Sequence, residues 1–438
     1  MTGPSRSARN TAKNVSLIVL IVLLLVLCAA NWLLGMNVAQ MPADHLLRRA
    51  HDHLFGGAVG YELRSSGVAA AEPAQVALTV DGQLTGVQYD LTDVDTGLAA
   101  VREVWAQVLA DTELAVCGEA ELTAALWSGD CAVLRYHGAI PLGAVAGWMG
   151  ASHRSNEEIQ VETLVYADAP GRLFVRAGDG TLYAARAKAD ASVFSRAQQA
   201  FRGQPCKFAG EAYAVWAETL LFDGETLSLP LLQEEKIDLF ATQNGTGLED
   251  LLQSFGFSAY TNFYAEQNGQ VRVFIDNVST LRVSADGLLQ YAAAAENSTV
   301  RAYDEGEVSG LSALDAQMDS ARLILDAALR AGETDTHASL YTAVQQGEQT
   351  TLVFSQLYGG VPVLGDADFA AFRFEGGALV SATIRLQRFA AQQEYRTVLP
   401  ARQAAAGALG DKCSLMVAYR ANGEGVYVPA RFYLEDAG

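Results

Sequence analysis

Thr351–Phe389 reads TLVFSQLYGGVPVLGDADFAAFRFEGGALVSATIRLQRF, and it decides the fold class. Its β-branched and aromatic residues fall in short runs that turn signals such as Gly376-Gly377 interrupt, the pattern of three or four strands in sequence. Asn268–Ala293, NGQVRVFIDNVSTLRVSADGLLQYAA, reads in the same way as strand, turn, strand. Tight hairpins need left-handed backbone, which Gly, Asn and Asp adopt most easily. Such dipeptides recur at Asp81-Gly82, Asp179-Gly180, Asp223-Gly224, Asn268-Gly269, Asp286-Gly287 and Asn422-Gly423. Each predicts a hairpin, and together they predict a dominant antiparallel sheet.

Helical patterns interrupt the strands at Leu98–Leu109, Ser312–Arg330 and Ala401–Leu409, each with one apolar face. In the second, Leu314, Met318, Leu323, Leu325 and Leu329 form the predicted face and Gly332 ends the helix. Helices set between runs of strands define an α+β class with helices packed on one sheet face, not a Rossmann-type alternation. A further short helix is predicted over Met41–Phe55, where Pro42 can open the first turn and Leu46, Leu47, Ala50 and Leu54 share helical spacing.

Val15–Met36, VSLIVLIVLLLVLCAANWLLGM, carries no charged residue. About 20 such residues at about 1.5 Å rise cross a hydrocarbon core of about 30 Å. A cleaved signal peptide has a shorter apolar region, so residues 15–36 are expected to form one transmembrane helix in the lipid bilayer. Arg6, Arg9 and Lys13 precede it with no acid, which predicts a cytoplasmic tail over residues 1–14 and an extracellular remainder. That remainder holds 27 basic and 50 acidic residues, net −23, which favours solubility and opposes binding to nucleic acid. Polar or Pro-containing stretches near FRGQPCK and EGEVSG divide it into an N-terminal domain (37–205), a middle α+β domain (206–304) and a C-terminal α+β domain (305–438).

Neither GxxxxGK[ST], HExxH, GxSxG nor CxxC occurs. No catalytic, cofactor-binding or metal-binding residue is therefore assigned, and the chain reads as a protein without enzymatic activity. Triads and carboxylate pairs assembled in space escape such a search. The cluster His45, His51 and His53 with Asp52 reads as solvated residues of a short helix, and His137 in VLRYHG as a structural residue at a strand end. His153 and His337 have no activating sequence neighbours, and Asn244-Gly245-Thr246 reads as a turn before it reads as a glycosylation acceptor. Cys117, Cys131, Cys206 and Cys413 lack zinc-ligand spacing. A Cys117–Cys131 disulfide in an oxidising exterior and four isolated buried thiols explain the cysteines alike. Within the membrane span, Leu17, Leu20, Leu24, Leu27 and Asn31 fall on one seam that could contact a partner helix. Asn31 beside Trp32 could equally mark the outer interface.

A basic tail, one spanning helix and an exterior of roughly 400 residues resemble the YycH family of membrane-anchored proteins. The local resemblance lies in Tyr264–Ala293, with its LRVSADGLLQY run, and in Gln356–Phe389, with its YGGVPV corner. The closing VLPARQAAAGALG and YVPARFYLE are similar to the C-terminal part that YycH shares with its shorter relative YycI. The resemblance carries over no catalytic residue. It implies a regulator that modulates, by transmembrane and extracellular contacts, a sensor histidine kinase of the two-component system governing cell-wall metabolism in Gram-positive bacteria, with a YycI-like membrane protein as second partner. The alternative is an extracellular PepSY-like binding or inhibitor module that acts on a protease or a wall polymer.

Overall fold

Val76 and Leu78 join one buried cluster while Ala77 between them joins another, and the same alternation recurs at Ala132 and Leu134 around Val133, and at Leu173 and Val175 around Phe174. A strand that reads apolar at every position is one whose sheet is covered on both faces. The computed structural model describes residues 69–434 except 111–112, 152–158, 242–244, 258–260, 262, 277–278 and 304–310. The described residues belong to one compact unit that begins at Ala69. The span 15–36, the helix expected over Met41–Phe55 and the polar stretch Ser152–Glu158 lie outside them. Among the described residues, no helix is long and apolar enough to cross a membrane.

The first sheet comprises β1 (Pro73–Val80), β2 (Gln83–Gln88), β3 (Ala115–Val116), β4 (Cys131–Pro141), β5 (Gln160–Ala167), β6 (Arg172–Ala177), β7 (Leu182–Arg186), β8 (Gln204–Phe208) and β9 (Leu220–Phe222). Their spatial order is β3-β7-β6-β5-β4-β1-β2-β8-β9. Helices α1 (Leu91–Val108), α3 (Leu142–Met149) and α4 (Ala191–Ala200) bury Val101, Trp105, Val145 and Phe194 on one face. Helix α2 (Glu119–Leu126) packs Leu122 and Leu126 on the other, with Phe208 and Leu220. The expected single helical face is therefore corrected here to two. The signal was weak: α2 has eight residues, and α3, LGAVAGWM, is apolar all round, so neither shows a helical period.

The second sheet takes β10 (Ser228–Glu235), β11 (Phe263–Glu266), β12 (Val271–Asp276), β13 (Ser279–Ser284), β14 (Leu288–Ala293), β15 (His337–Gln346), β16 (Gln349–Tyr358), β17 (Val361–Leu364), β18 (Ala370–Glu375), β19 (Ala378–Arg385), β20 (Arg388–Thr397), β21 (Ser414–Ala421) and β22 (Val426–Leu434). It runs β11-β12-β13-β14-β19-β18-β16-β17-β21-β22-β10-β20, with β15 on the remaining edge of β16. Thr351–Phe389 thus supplies most of β16, then β17, β18, β19 and the start of β20. Helices α5 (Gly245–Ser254) and α6 (Leu311–Ala331) pack together, and α6 contacts β15 and β16. Of the turn expected at Asn244-Gly245-Thr246, Asn244 lies outside the described residues and Gly245 and Thr246 begin α5. A last helix, α7 (Ala401–Gly407), ends two residues before the expected Leu409.

Six of the seven turn dipeptides join paired strands, as at Asp81 (φ 52°) and Gly82 (φ 74°) between β1 and β2. Asp223-Gly224 does not: it leads from β9 to β10 and so from one sheet to the other. The second sheet is also mixed, because β17 pairs parallel with β21. Helix α1 starts seven residues before the expected Leu98, where the Asp90 carboxylate accepts from Asp93 N at 3.0 Å. Gly97 lies inside this helix, and a Cβ there would lie 2.9 Å from Val87 Cγ2. Close packing against β2 requires the glycine. In α6, Leu323 is 44% exposed and not on the buried face. It lies nine residues past Leu314, half a turn away at about 100° per residue, and Ala321, Ile324 and Ala328 are buried in its place.

The sheets meet where β4 crosses β15. A Cβ on Gly138 would lie 2.1 Å from the Tyr341 carbonyl oxygen, and backbone cannot yield as a flexible side chain can. Leu340 N donates to Ala70 O at 2.7 Å and Glu72 N to Ser339 Oγ at 2.8 Å, fastening the incoming chain to β15. Gly138→Ala is expected to lower stability by about 1–3 kcal/mol or more through overpacking. Urea unfolding checks the loss, and faster hydrogen exchange at Leu340 would place it at this crossing.

Candidate functional site

Among the described residues, charged side chains join buried regions at three points, each built from elements far apart in the chain. Arg176 on β6 is 2% exposed, and its five N–H groups are all used. Nε and Nη2 donate to the two oxygens of Glu218 at 2.8 and 3.2 Å, Nη1 and Nη2 reach Glu119 on α2, and Nη1 also reaches Gly180 O. The guanidinium lies 4.0 Å over the Trp216 ring. Burial opposes its charge, but the carboxylates of Glu119 and Glu218 hold its pKa above the ordinary arginine value.

Arg135 on β4 donates to Glu162 on β5 at 2.9 Å, and Ser414 on β21 donates to the same oxygen at 2.9 Å. This pin joins the two sheets. Glu225, just past the connecting turn, forms the third: Oε1 accepts from Gln88 on β2 at 2.7 Å and from Arg431 on β22 at 2.6 Å, while Oε2 accepts from Ala401 N at the start of α7. Both side chains of that ion pair are at most 3% exposed. All three pins hold elements together; Glu225 also lines a cleft, with its two oxygens already taken by Gln88, Arg431 and Ala401 N.

Among the described residues, two of the clefts are large enough for a ligand. One of 730 Å³ lies where turns gather, lined by Gln233, Glu234, Asp238, Phe240, Arg272 and Gln387. Arg272 there sits 4.0 Å over Phe240, and Gln387 donates to Glu234 at 3.2 Å and to Tyr427 Oη at 2.9 Å. The other, of 450 Å³, lies beside the start of α1 and includes Gln88, Asp90, Arg202 and Glu225.

Leu17, Leu20, Leu24, Leu27 and Asn31, the residues expected to meet a partner helix, lie outside the described residues, as do His45, His51, His53 and His153. His137 is buried between Tyr89 and Gly360, and neither ring nitrogen makes a hydrogen bond of good geometry. Burial and then Arg135 push its pKa down to about 3, against a smaller opposing pull from the Gly360 backbone. His137 is neutral at physiological pH. His337 is half-buried; burial lowers its pKa, while Asp326 and Asp95 act against that shift. Cys117, Cys131, Cys206 and Cys413 are free thiols, and burial pushes Cys131 and Cys206 up to about 12. Such thiols are unreactive at neutral pH. Among the described residues, no cluster of three or more His, Cys, Asp or Glu could hold a metal ion. Sequence reasoning missed Arg176, Glu225 and Arg431, because each gains its meaning from partners 42 to 206 positions away.

Two packed sheets joined by buried ion pairs define an α+β body whose described residues expose clefts. No family model matches the sequence, and the search of curated proteins finds no match. Among solved structures, YycH from Bacillus subtilis is similar at a TM-score of 0.46 and 13% identity, over 84% of this chain and 97% of that one.

Proposed function

We propose that this chain is a non-enzymatic regulator, anchored in the cell membrane by residues 15–36 with its N-terminus in the cytoplasm, that modulates a sensor histidine kinase controlling cell-wall metabolism. The observation that carries the reading is the charge-free run Val15–Met36 set before one large acidic body. The YycH resemblance adds to it, since Tyr264–Ala293 and Gln356–Phe389, distant in sequence, lie in one sheet with β14 hydrogen-bonded to β19. On this reading Leu17, Leu20, Leu24, Leu27 and Asn31 contact a kinase helix or a YycI-like partner in the membrane. The domains 37–205, 206–304 and 305–438 offer the extracellular contacts. Such a regulator acts only if it binds the two kinase states with different free energies.

A pull-down from membranes tests this, using the tagged full chain beside a version in which Val15–Met36 is replaced by an unrelated spanning helix. A sensor kinase recovered with the native helix alone supports a contact in the membrane. Recovery with both versions moves the contact to the exterior. Recovery with neither rejects the kinase and leaves the wall-binding or inhibitor reading.

A further inference from the structure

Arg272 on β12 lines the 730 Å³ cleft with its guanidinium held against two rings, 4.0 Å from the centre of Phe240 and 5.2 Å from that of Phe263. Ordered elements place both rings. Phe274 lies two residues along β12, on the face that Arg272 shares, and Phe263 stands opposite it on β11 with the ring centroids 5.3 Å apart. Phe240 is fixed through the backbone around it. Its own N–H donates to the Asp238 carboxylate at 2.9 Å, and the N–H of the buried Leu239 donates to Ala285 O at 3.0 Å.

Ring contacts leave the N–H groups of a guanidinium available, and those of Arg272 make no hydrogen bond or ion pair among the described residues. Arg176 and Arg431, by contrast, pair with carboxylates. The cleft wall carries five carboxylates against the two cations Lys236 and Arg272. Two of the five, Asp286 and Glu424, also have side chains without a hydrogen bond or ion pair among the described residues. A multivalent anion drawn to Arg272 meets this net negative wall, whereas a ligand that brings its own cation satisfies both signs. A planar carboxylate matches the guanidinium fork. We propose that the cleft is a binding site for a short zwitterionic peptide, whose C-terminal carboxylate pairs with Arg272 and whose ammonium group pairs with Asp286 or Glu424.

A volume of 730 Å³ lies within the range of about 300–1,000 Å³ of small-ligand sites and is far short of what a folded partner needs. Phe240, Ile237 and Leu386 add apolar wall for the peptide's side chains. An arginine already ordered by its rings loses little freedom when the carboxylate arrives, so the stacking favours binding. The site contains none of residues 1–68, and it stands or falls independently of the membrane reading.

Equilibrium dialysis of the full chain in detergent micelles against a mixture of tripeptides randomised at every position tests this, with the retained peptides read by mass spectrometry. A subset is expected to be retained severalfold above the mean of the mixture. Remade as C-terminal amides, the best retained peptides are expected to bind about tenfold or more weakly, the loss of a charge-assisted pair, and after acetylation of their amines severalfold more weakly. Arg272→Met, which keeps an unbranched apolar stem against Phe240, is expected to match the loss seen on amidation while its far-UV spectrum stays unchanged. A mixture with no retained peptide overturns the proposal, as does equal binding of acid and amide, of free and acetylated peptide, or of the wild-type and Arg272→Met chains. The amide comparison uses the wild-type chain, so it decides the matter even where the variant fails to fold.

Discussion

Arg176→Met is expected to destabilise the protein by about 3–5 kcal/mol, the typical cost of removing one partner from a buried ion pair. Met fills much of the arginine volume and keeps contact with Trp216, so the loss reports charge and hydrogen bonds more than packing. Glu218 has a 4% exposed side chain and loses both of its bonds to the guanidinium. Glu119 is 37% exposed and can turn to water. Glu218 therefore carries most of the penalty, and the double variant Arg176→Met/Glu218→Gln should recover a substantial part of it. Urea unfolding of the two variants checks this, and equal stabilities would refute the assignment of the penalty to Glu218.

Glu225→Gln is expected to cost about 3 kcal/mol or more although it changes no volume. Every partner of Glu225 is a donor: Gln88 Nε2, Arg431 Nη2 and Ala401 N. An amide has one acceptor oxygen, so its NH₂ must point at a donor whichever way it turns. Arg431 would also remain buried without a counter-charge, with its Nε already lacking a partner. Because the pin fastens β2, α7 and β22 to the connection between the sheets, hydrogen exchange should rise at the start of α7 along with the loss of global stability. Unchanged protection at Ala401 would place the cost elsewhere.

Strand and turn chemistry was legible along the chain. The left-handed backbone at Asn268 (φ 57°), Gly287 (φ 95°) and Gly376 (φ 57°) is a local requirement, written in local residues. Period carried α6 equally well, since its 21 residues present a clear buried stripe. Legibility failed where tertiary packing overrode a local sign. The helix expected from Leu98 begins at Leu91, with Gly97 packed against Val87 and Phe201, and Asp223-Gly224 reads as a hairpin until its two strands are found in different sheets. The charged pins had one faint signal: Arg176 sits two residues after Phe174, at an inward position of a strand otherwise buried. Nothing local could name its partners, since Glu218 and Glu119 lie 42 and 57 positions away.

Sequence alone determined the α+β class, most of the hairpins, the long helix and the acidic balance, because backbone preference, period and charge count act over a few residues or over the whole chain. It also supports the expectation of a membrane anchor, since a mostly apolar run of 22 residues without a charge has few other uses in water. Only the tertiary structure decided that the first sheet is covered on both faces, that β17 lies parallel to β21, and that Gly138 must be a glycine. It alone gave Arg176 and Glu225 their partners. Such features depend on which distant surfaces come within a few ångströms of each other, and chain folding sets that distance only after the local elements exist.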